Sequence, residues 1–120
     1  MSDLQSALAN ASFDGIARVR EQGLQGMITL RGDFAAPAIK KAASAASGTA
    51  MPGQRKAVFS DIGGMAWMSP DELLILCPYA EVTDRLAALT SALAGTHALV
   101  VNVSDARALF EVSGPHAREV

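Results

Sequence analysis

The sequence of 120 residues has a single cysteine, Cys77, so an internal disulfide framework and a cysteine-rich metal site are both excluded. A long apolar run is also missing. The longest strictly apolar stretch covers residues 73–77, against the ~20 residues of a membrane span. The N-terminus has no basic region followed by an apolar stretch, so we expect no signal peptide. These absences predict a cytoplasmic protein with no membrane partner.

Charged and aromatic side chains are scarce as well. Charged residues make up 18% of the chain and aromatic residues 5%, and the net charge is −2. A protein that binds nucleic acid normally presents a basic surface, so nucleic acid is excluded as a partner. Apolar residues make up 50% of the chain, which excludes disorder and is enough for one hydrophobic core.

The first half of the chain shows alternating strand and helix patterns. Residues 16–21 and 27–31 predict two strands, and Asp33 is expected to cap a helix that ends at Gly48. Its apolar positions are Phe34, Ile39, Ala42 and Ala46. This helix carries mostly small apolar residues, which allow it to lie close to a sheet.

Three more strands are predicted at residues 57–62, 65–68 and 73–77. Gly63 and Gly64 are expected to separate the first two, and residues 69–72, Ser-Pro-Asp-Glu, predict a turn between the last two. The strand at 73–77 is apolar throughout. It should therefore lie in the middle of a sheet and be covered on both faces.

The clearest helix covers residues 81–94. Its apolar stripe of Val82, Leu86, Leu89 and Leu93 has helical spacing, and Gly95 follows as a stop. Strands are then predicted at 98–104 and 109–113. The dipeptide 114–115, Gly-Pro, should open another helix.

The order of these elements suggests an internal repeat. Gly32 and Gly114 are 82 positions apart, and the same offset aligns Ile28 with Phe110 and Leu30 with Val112. We therefore predict an α+β fold with a mainly antiparallel sheet and flanking helices, built as a ββ-α-βββ-α unit plus the start of a second copy. The expected divisions are an N-terminal arm or frayed helix at 1–13, a first half-unit at 14–97 and a truncated second half-unit at 98–120.

No motif in the sequence indicates catalysis. The histidines His97 and His116 lack accompanying metal ligands, and Asp71 is explained by turn chemistry. Cys77 lies in the most apolar strand, where a thiol acts as a small hydrophobic group. We predict no catalytic, metal-binding or cofactor-binding residue in this chain.

An interaction surface is the remaining candidate site. Trp and Met are enriched at the centres of protein interfaces, and strand edges left open by a missing half-unit favour association. The candidate partner-interface residues are Met65, Trp67, Met68, Val101, Val103, Phe110 and Val112. Core packing is the alternative for Trp67. Self-association by exchange of residues 98–120 between two copies is also expected.

Several segments resemble one protein family. They are residues 26–33, Gly-Met-Ile-Thr-Leu-Arg-Gly-Asp; residues 52–55, Pro-Gly-Gln-Arg; residues 67–74, Trp-Met-Ser-Pro-Asp-Glu-Leu-Leu; residues 101–107, Val-Asn-Val-Ser-Asp-Ala-Arg; and residues 112–120, Val-Ser-Gly-Pro-His-Ala-Arg-Glu-Val. Together and in this order they resemble the gamma subunits of heterotetrameric sarcosine oxidases. Those subunits are similar in turn to the glycine-cleavage aminomethyltransferases and other folate-binding proteins.

The resemblance implies an aminomethyltransferase-like, folate-binding-type fold, a duplicated unit whose first strand pair is exchanged between its halves. It implies a complex that demethylates sarcosine oxidatively, with FAD, FMN and NAD carried by other subunits and the one-carbon unit passed to tetrahydrofolate. This chain would bind none of these cofactors. It would be a structural subunit packed on the alpha subunit, with beta and delta subunits in the same complex.

Two features depart from the family pattern. The family members continue well beyond residue 120, and the sequence lacks a match to the catalytic aspartate region of the aminomethyltransferases. The second departure argues against independent transferase activity. The alternatives are a free-standing binder of a small, folate-type ligand and, more weakly, a minimal one-carbon transferase.

Overall fold

The computed structural model describes residues 4–120 and divides into two compact units. The larger unit is Gly26–Ser104, and the smaller unit combines the described residues up to Gln25 with Asp105–Val120. The strands and helices, in chain order, are β1 (Ser12–Asp14), β2 (Arg18–Glu21), β3 (Gly26–Gly32), α1 (Pro37–Ser47), β4 (Ala57–Ser60), β5 (Gly63–Ser69), β6 (Glu72–Cys77), α2 (Val82–Ala92), β7 (Ala98–Asn102) and β8 (Phe110–Ser113).

The larger unit is built on an antiparallel five-stranded sheet in the order β4-β5-β6-β3-β7. The apolar strand β6 lies in the middle, as its sequence predicted. The predicted hairpin between β5 and β6 is confirmed, with Pro70 and Asp71 at its turn. The expected break at Gly63 and Gly64 is wrong, because both residues belong to β5 and pair with β4.

Helix α1 starts later than the sequence suggested. The carboxylate of Asp33 accepts the N–H of Ala35 at 2.9 Å, but the N-cap position is held by Ala36, whose side chain makes no capping hydrogen bond. Pro37 follows in the first turn, where its missing N–H costs nothing. The predicted stop is confirmed, since Gly48 ends the helix in a left-handed conformation with φ of 75°.

Both helices cover the same face of this sheet. Residues of α1 and α2 form one buried cluster with the sheet positions Ile28, Leu30, Leu73 and Ile75. The predicted stripe on α2 is confirmed. Val82, Leu89 and Leu93 are buried, and Leu86 packs against them half-buried; all four residues therefore face the core.

The opposite face of the same sheet carries Phe59, Leu99 and Val101, which are exposed, and Leu74 and Leu76, which are half-buried. Among the described residues of the larger unit, no helix packs on this face. The expectation that the strand at 73–77 is covered on both faces is therefore met on one face only within this unit.

The smaller unit contains an antiparallel three-stranded sheet in the order β1-β2-β8. Of the two expectations for the N-terminal segment, an arm or a frayed helix, the described residues 4–11 form no helix. That segment is instead held by the carboxylate of Glu21, which accepts the Ser6 hydroxyl and the Asn10 N–H, each at 2.7 Å. The side chain of Glu21 is buried. The first three residues of the predicted arm lie outside the described part of the chain.

The compact units do not follow the predicted half-unit boundary after residue 97. Strand β7 lies beyond that boundary, yet it pairs with β3 in the larger unit. The predicted half-units are copies of a repeat and need not be compact units, so their boundaries stay a prediction. Neither α-helix of the described residues has the length and apolar character needed to cross a membrane.

Candidate functional site

The predicted interface residues on β5 have different environments. Met65 is fully buried beneath the helices, so it belongs to the core and not to a surface. Trp67 is half-buried, and its ring meets the ring of Phe34 edge-to-face with centroids 5.2 Å apart. Met68 is 51% exposed and is available to a partner.

Val101 and Val103 lie at the β7 edge of the larger sheet. Val101 belongs to the face that lacks helices and is exposed, with Leu99 beside it on the same strand. Val103 is half-buried, and its N–H donates to the carbonyl of Met27 at 2.9 Å. Leu99 was not among the predicted interface residues, although its alternation with Val101 is visible in the sequence.

Phe110 and Val112 belong to the sheet of the smaller unit. The register places Phe13 opposite Val19 and Val19 opposite Val112, so these side chains share one face with Phe110 and with the buried Glu21, which lies opposite Phe110. We call Phe13, Val19, Phe110 and Val112 the apolar face of the small sheet. Phe13 is 70% exposed and Phe110 45%, so large apolar side chains on this face are accessible to solvent.

The reverse side of the small sheet is charged. Arg18 pairs with Asp14 at 3.6 Å, and Arg20 of β2 pairs with Glu111 of β8 at 3.7 Å. Each of these pairs is largely exposed and adds little to stability. A sheet that is charged on one side and exposes large apolar groups on the other has the character of an interaction surface. Phe13 was missed because β1 is only three residues long.

Strand β8 lies at the edge of the small sheet. Its outer edge therefore has no strand partner among residues 4–120. An open edge offers backbone N–H and C=O groups for pairing with another strand. The apolar face and the open edge thus meet at Phe110 and Val112.

The side chains that were considered as catalytic candidates are explained by their surroundings in the fold. Cys77 is buried, and burial raises the pKa of its thiol; the guanidinium of Arg85 opposes that shift and the carboxylate of Glu81 adds to it. The Cys77 thiol is therefore neutral near pH 7 and a poor nucleophile. His116 contacts the carboxylate of Glu119 at 3.2 Å. Within residues 4–120, no three metal-ligating side chains cluster in a way that could hold a metal ion.

Comparisons with known proteins support the resemblance seen in the sequence. The family model described as "Sarcosine oxidase, gamma subunit family" matches residues 31–120. The chain is 33% identical to the sarcosine oxidase subunit gamma of Corynebacterium sp. (strain P-1) over 121 residues, and 33% identical to that of Arthrobacter sp. over 116 residues. Each alignment covers 95% of this chain and 56% of the relative, so the chain spans about half the length of these curated relatives.

A solved structure has the same fold. A chain of the heterotetrameric sarcosine oxidase from Corynebacterium sp. U-96, in complex with pyrrole 2-carboxylate, superimposes with a TM-score of 0.72 at 24% identity. The match covers 90% of this chain and 56% of that one. Because the family model covers most of the sequence, this chain belongs to the sarcosine oxidase gamma subunit family.

Proposed function

We propose that this chain acts as a non-catalytic, structural subunit of a heterotetrameric sarcosine oxidase and packs on the alpha subunit, in a complex that also holds beta and delta subunits. The observation that carries the proposal is the apolar face of the small sheet. Phe13, Phe110 and Val112 are 70%, 45% and 42% exposed there, beside the open edge of β8. Large apolar groups exposed together on a soluble chain favour a protein contact.

The pairing of the strands supports a finer proposal about the fold. In the small sheet β2 pairs with β8, with Val19 opposite Val112; in the large sheet β3 pairs with β7, with Leu30 opposite Val100. The repeat aligns Leu30 of β3 with Val112 of β8, so these two strands are counterparts. Strand β8 pairs with β2 in the small sheet, just as β3 pairs with β7 in the large sheet. Each pair thus joins a strand of the first copy to a strand of the second. This reciprocity favours an aminomethyltransferase-like duplicated unit with an exchanged strand pair.

The same alignment suggests why the small sheet has an exposed apolar face. Ile28 and Leu30 of β3 lie under the helices in the larger unit, and their repeat partners are Phe110 and Val112. The apolar face of the small sheet therefore corresponds to the face that α1 and α2 cover in the large one. We propose that a partner surface covers it in the assembled protein.

The proposal assigns the redox chemistry to other chains. FAD, FMN, NAD and tetrahydrofolate would be bound elsewhere in the complex, and oxidative demethylation of sarcosine would occur there. The sequence of this chain has no dinucleotide-binding fingerprint of the G-x-G-x-x-G type. Its contribution would be to hold the alpha subunit in place.

Expression of the tagged chain, alone and together with alpha, beta and delta subunits, tests the proposal. We expect the co-expressed chain to purify with the alpha subunit and with the flavin absorbance of the assembly. The chain expressed alone should be colourless and should not oxidise sarcosine. A flavin band or sarcosine turnover from the chain alone would refute the non-catalytic role, and a chain that never retains the alpha subunit would refute the structural role.

A further inference from the structure

The larger unit contains a cavity that the proposed subunit role does not use. It lies between the start of α1, the loop after α1 and the β5–β6 hairpin, and its volume is about 600 Å³. This is within the range of roughly 300–1,000 Å³ that is typical of sites for small organic ligands. Its walls include the side chains of Phe34, Met51 and Trp67. The cavity is therefore large enough for a flat apolar group.

The aromatic walls give the cavity a defined shape. The rings of Phe34 and Trp67 stand nearly perpendicular, at 84°, with centroids 5.2 Å apart. The Trp67 side chain is half-buried, and its indole N–H is a buried donor with no hydrogen-bond partner among residues 4–120. Because this N–H has no accessible surface, it lies within the wall of the cavity, and a ligand would meet the ring of Trp67 rather than its N–H.

The lining of the cavity contains one basic side chain, Lys40, and one acidic side chain, Asp33, together with the amide of Gln54. Lys40 and Gln54 line it and can both donate hydrogen bonds to an oxygen atom. Asp33 is the acidic residue of the lining, but its carboxylate already accepts the N–H of Ala35 at 2.9 Å. An organic anion would meet an ammonium group and an amide next to the aromatic walls.

The chain segment that carries Lys40 and Gln54 is rich in basic residues. Residues 34–60 contain the basic residues Lys40, Lys41, Arg55 and Lys56 and no acidic residue, although the whole chain has a net charge of −2. All four basic side chains are exposed, and within the described residues none forms an ion pair with a carboxylate. Such a local excess of cations attracts anions over a Debye length of about 8–10 Å.

We propose that this cavity binds a carboxylate joined to a flat apolar group, with the apolar group against Trp67 and Phe34 and the carboxylate at Lys40 and Gln54. The ligand is either a free aromatic acid or an aromatic residue next to an acidic residue on a partner polypeptide. The proposal concerns the larger unit and does not depend on the subunit role proposed above.

Trp67 is the sole tryptophan of the chain, so its fluorescence and its indole N–H resonance report on the cavity alone. The probes are 3-phenylpropanoate and its neutral analogue 3-phenylpropanamide. We expect the acid to shift the Trp67 signals saturably and to bind more tightly than the amide by up to about fivefold, which corresponds to an exposed charge pair of up to ~1 kcal/mol. Equal affinity of acid and amide, or no saturable shift up to the solubility limit, would overturn the proposal.

Matched lysine variants test the placement of the carboxylate. Lys40→Gln should remove most of the difference between acid and amide, whereas Lys41→Gln, its exposed neighbour outside the cavity lining, should preserve it. An unchanged difference in Lys40→Gln, or an equal loss in both variants, would overturn the assignment of Lys40. Folding of each variant is checked by its far-ultraviolet circular dichroism.

A third probe distinguishes the two sources of the ligand. A capped phenylalanyl-aspartyl dipeptide carries the same chemistry on a polypeptide backbone. Tighter binding of this dipeptide than of 3-phenylpropanoate would support a partner polypeptide, and the reverse order would support a free acid. If the dipeptide and 3-phenylpropanoate do not compete with each other for the Trp67 signal, that result would contradict a single shared site.

Discussion

Leu89 is the best-buried residue of the α2 stripe, at 1% exposure, and it packs in the core cluster of the larger unit. Leu89→Ala removes this side chain and leaves a cavity, so we expect the free energy of unfolding to fall by about 2–5 kcal/mol. Chemical denaturation measures the change. Leu99→Ala, at a position that is 56% exposed, is the control and should change stability far less. Equal effects of the two substitutions would show that α2 does not cover the core.

The reactivity of the Cys77 thiol tests whether this side chain is buried. Burial raises its pKa. The charge of Arg85 lowers the pKa, and the charge of Glu81 raises it further. The folded-state pKa then exceeds the unfolded-state pKa, so the neutral thiol's contribution to stability is complete below the unfolded-state pKa and is lost as pH rises from there through the folded-state pKa. We expect a thiol-specific reagent to modify the native chain slowly at pH 8 and the denatured chain rapidly. Comparable rates in both states would contradict the burial of Cys77.

Individual side chains were predictable where spacing decided their position. Leu89 and Leu93 follow the helical period, and helical periods identify a buried face without knowledge of the partner. Met65 and Met68 were grouped as interface residues, yet one is buried and the other exposed. The strand alternation separates them, but the sequence did not show where β5 begins or that its register shifts between Trp67 and Ser69.

Strand β5 lies very close to its neighbours β4 and β6 at two glycine positions. A Cβ atom at Gly63 would collide with the backbone carbonyl of Leu76, and one at Gly64 would collide with the side chain of Phe59. This packing explains why two glycines, expected to break the chain, are instead paired within a sheet. Glycine in a strand often marks such a close backbone approach.

Gly63→Ala tests this packing. Because the contact is with backbone, which cannot rotate away, we expect a loss of about 1–3 kcal/mol in the free energy of unfolding. Gly53→Ala is the matched control, since its added Cβ would meet only the flexible end of Lys56, at 3.7 Å. Thermal unfolding followed by circular dichroism compares them. A Gly63→Ala variant as stable as Gly53→Ala would contradict the register of β4, β5 and β6.

Elements were predictable where their signals are local. The turn at residues 69–72 and the glycine stops after both helices are read from neighbouring residues, and the hairpin and α1 stop were confirmed. The partners of β2 and β3 could not be read in this way. They pair with distant strands, β8 and β6 or β7, and such pairings depend on contacts that a single sequence does not encode locally.

In the whole molecule, both sheets expose apolar side chains at an edge strand: Leu99 and Val101 at β7 of the large sheet, and Phe110 and Val112 at β8 of the small sheet. We therefore expect the isolated chain to self-associate at micromolar concentration, as judged by light scattering. Phe110→Ser should lower the association, whereas Arg20→Gln on the charged side should not. A clean monomer mass for the parent chain, across the concentration range, would contradict this expectation.

The family could be identified from the sequence because several short segments match in order, and the repeat was visible as a constant offset. The division into compact units was not predictable, because β7 and β8 follow each other in the chain but belong to different units. The candidate surface was found in part. Phe110 and Val112 were identified from alternation, but Phe13 was not, since its strand gives too short a pattern.

We propose that the apolar face of the small sheet contacts the alpha subunit, and adjacent residues of β8 test this contact. Val112 lies on that face, and Glu111 lies on the charged side, where it pairs with Arg20 at 3.7 Å. The measurement is the amount of alpha subunit retained by tagged Val112→Asp and Glu111→Gln variants, each with an unchanged circular dichroism spectrum. We predict that Val112→Asp loses the alpha subunit and Glu111→Gln retains it; full retention by Val112→Asp would contradict a contact through this face.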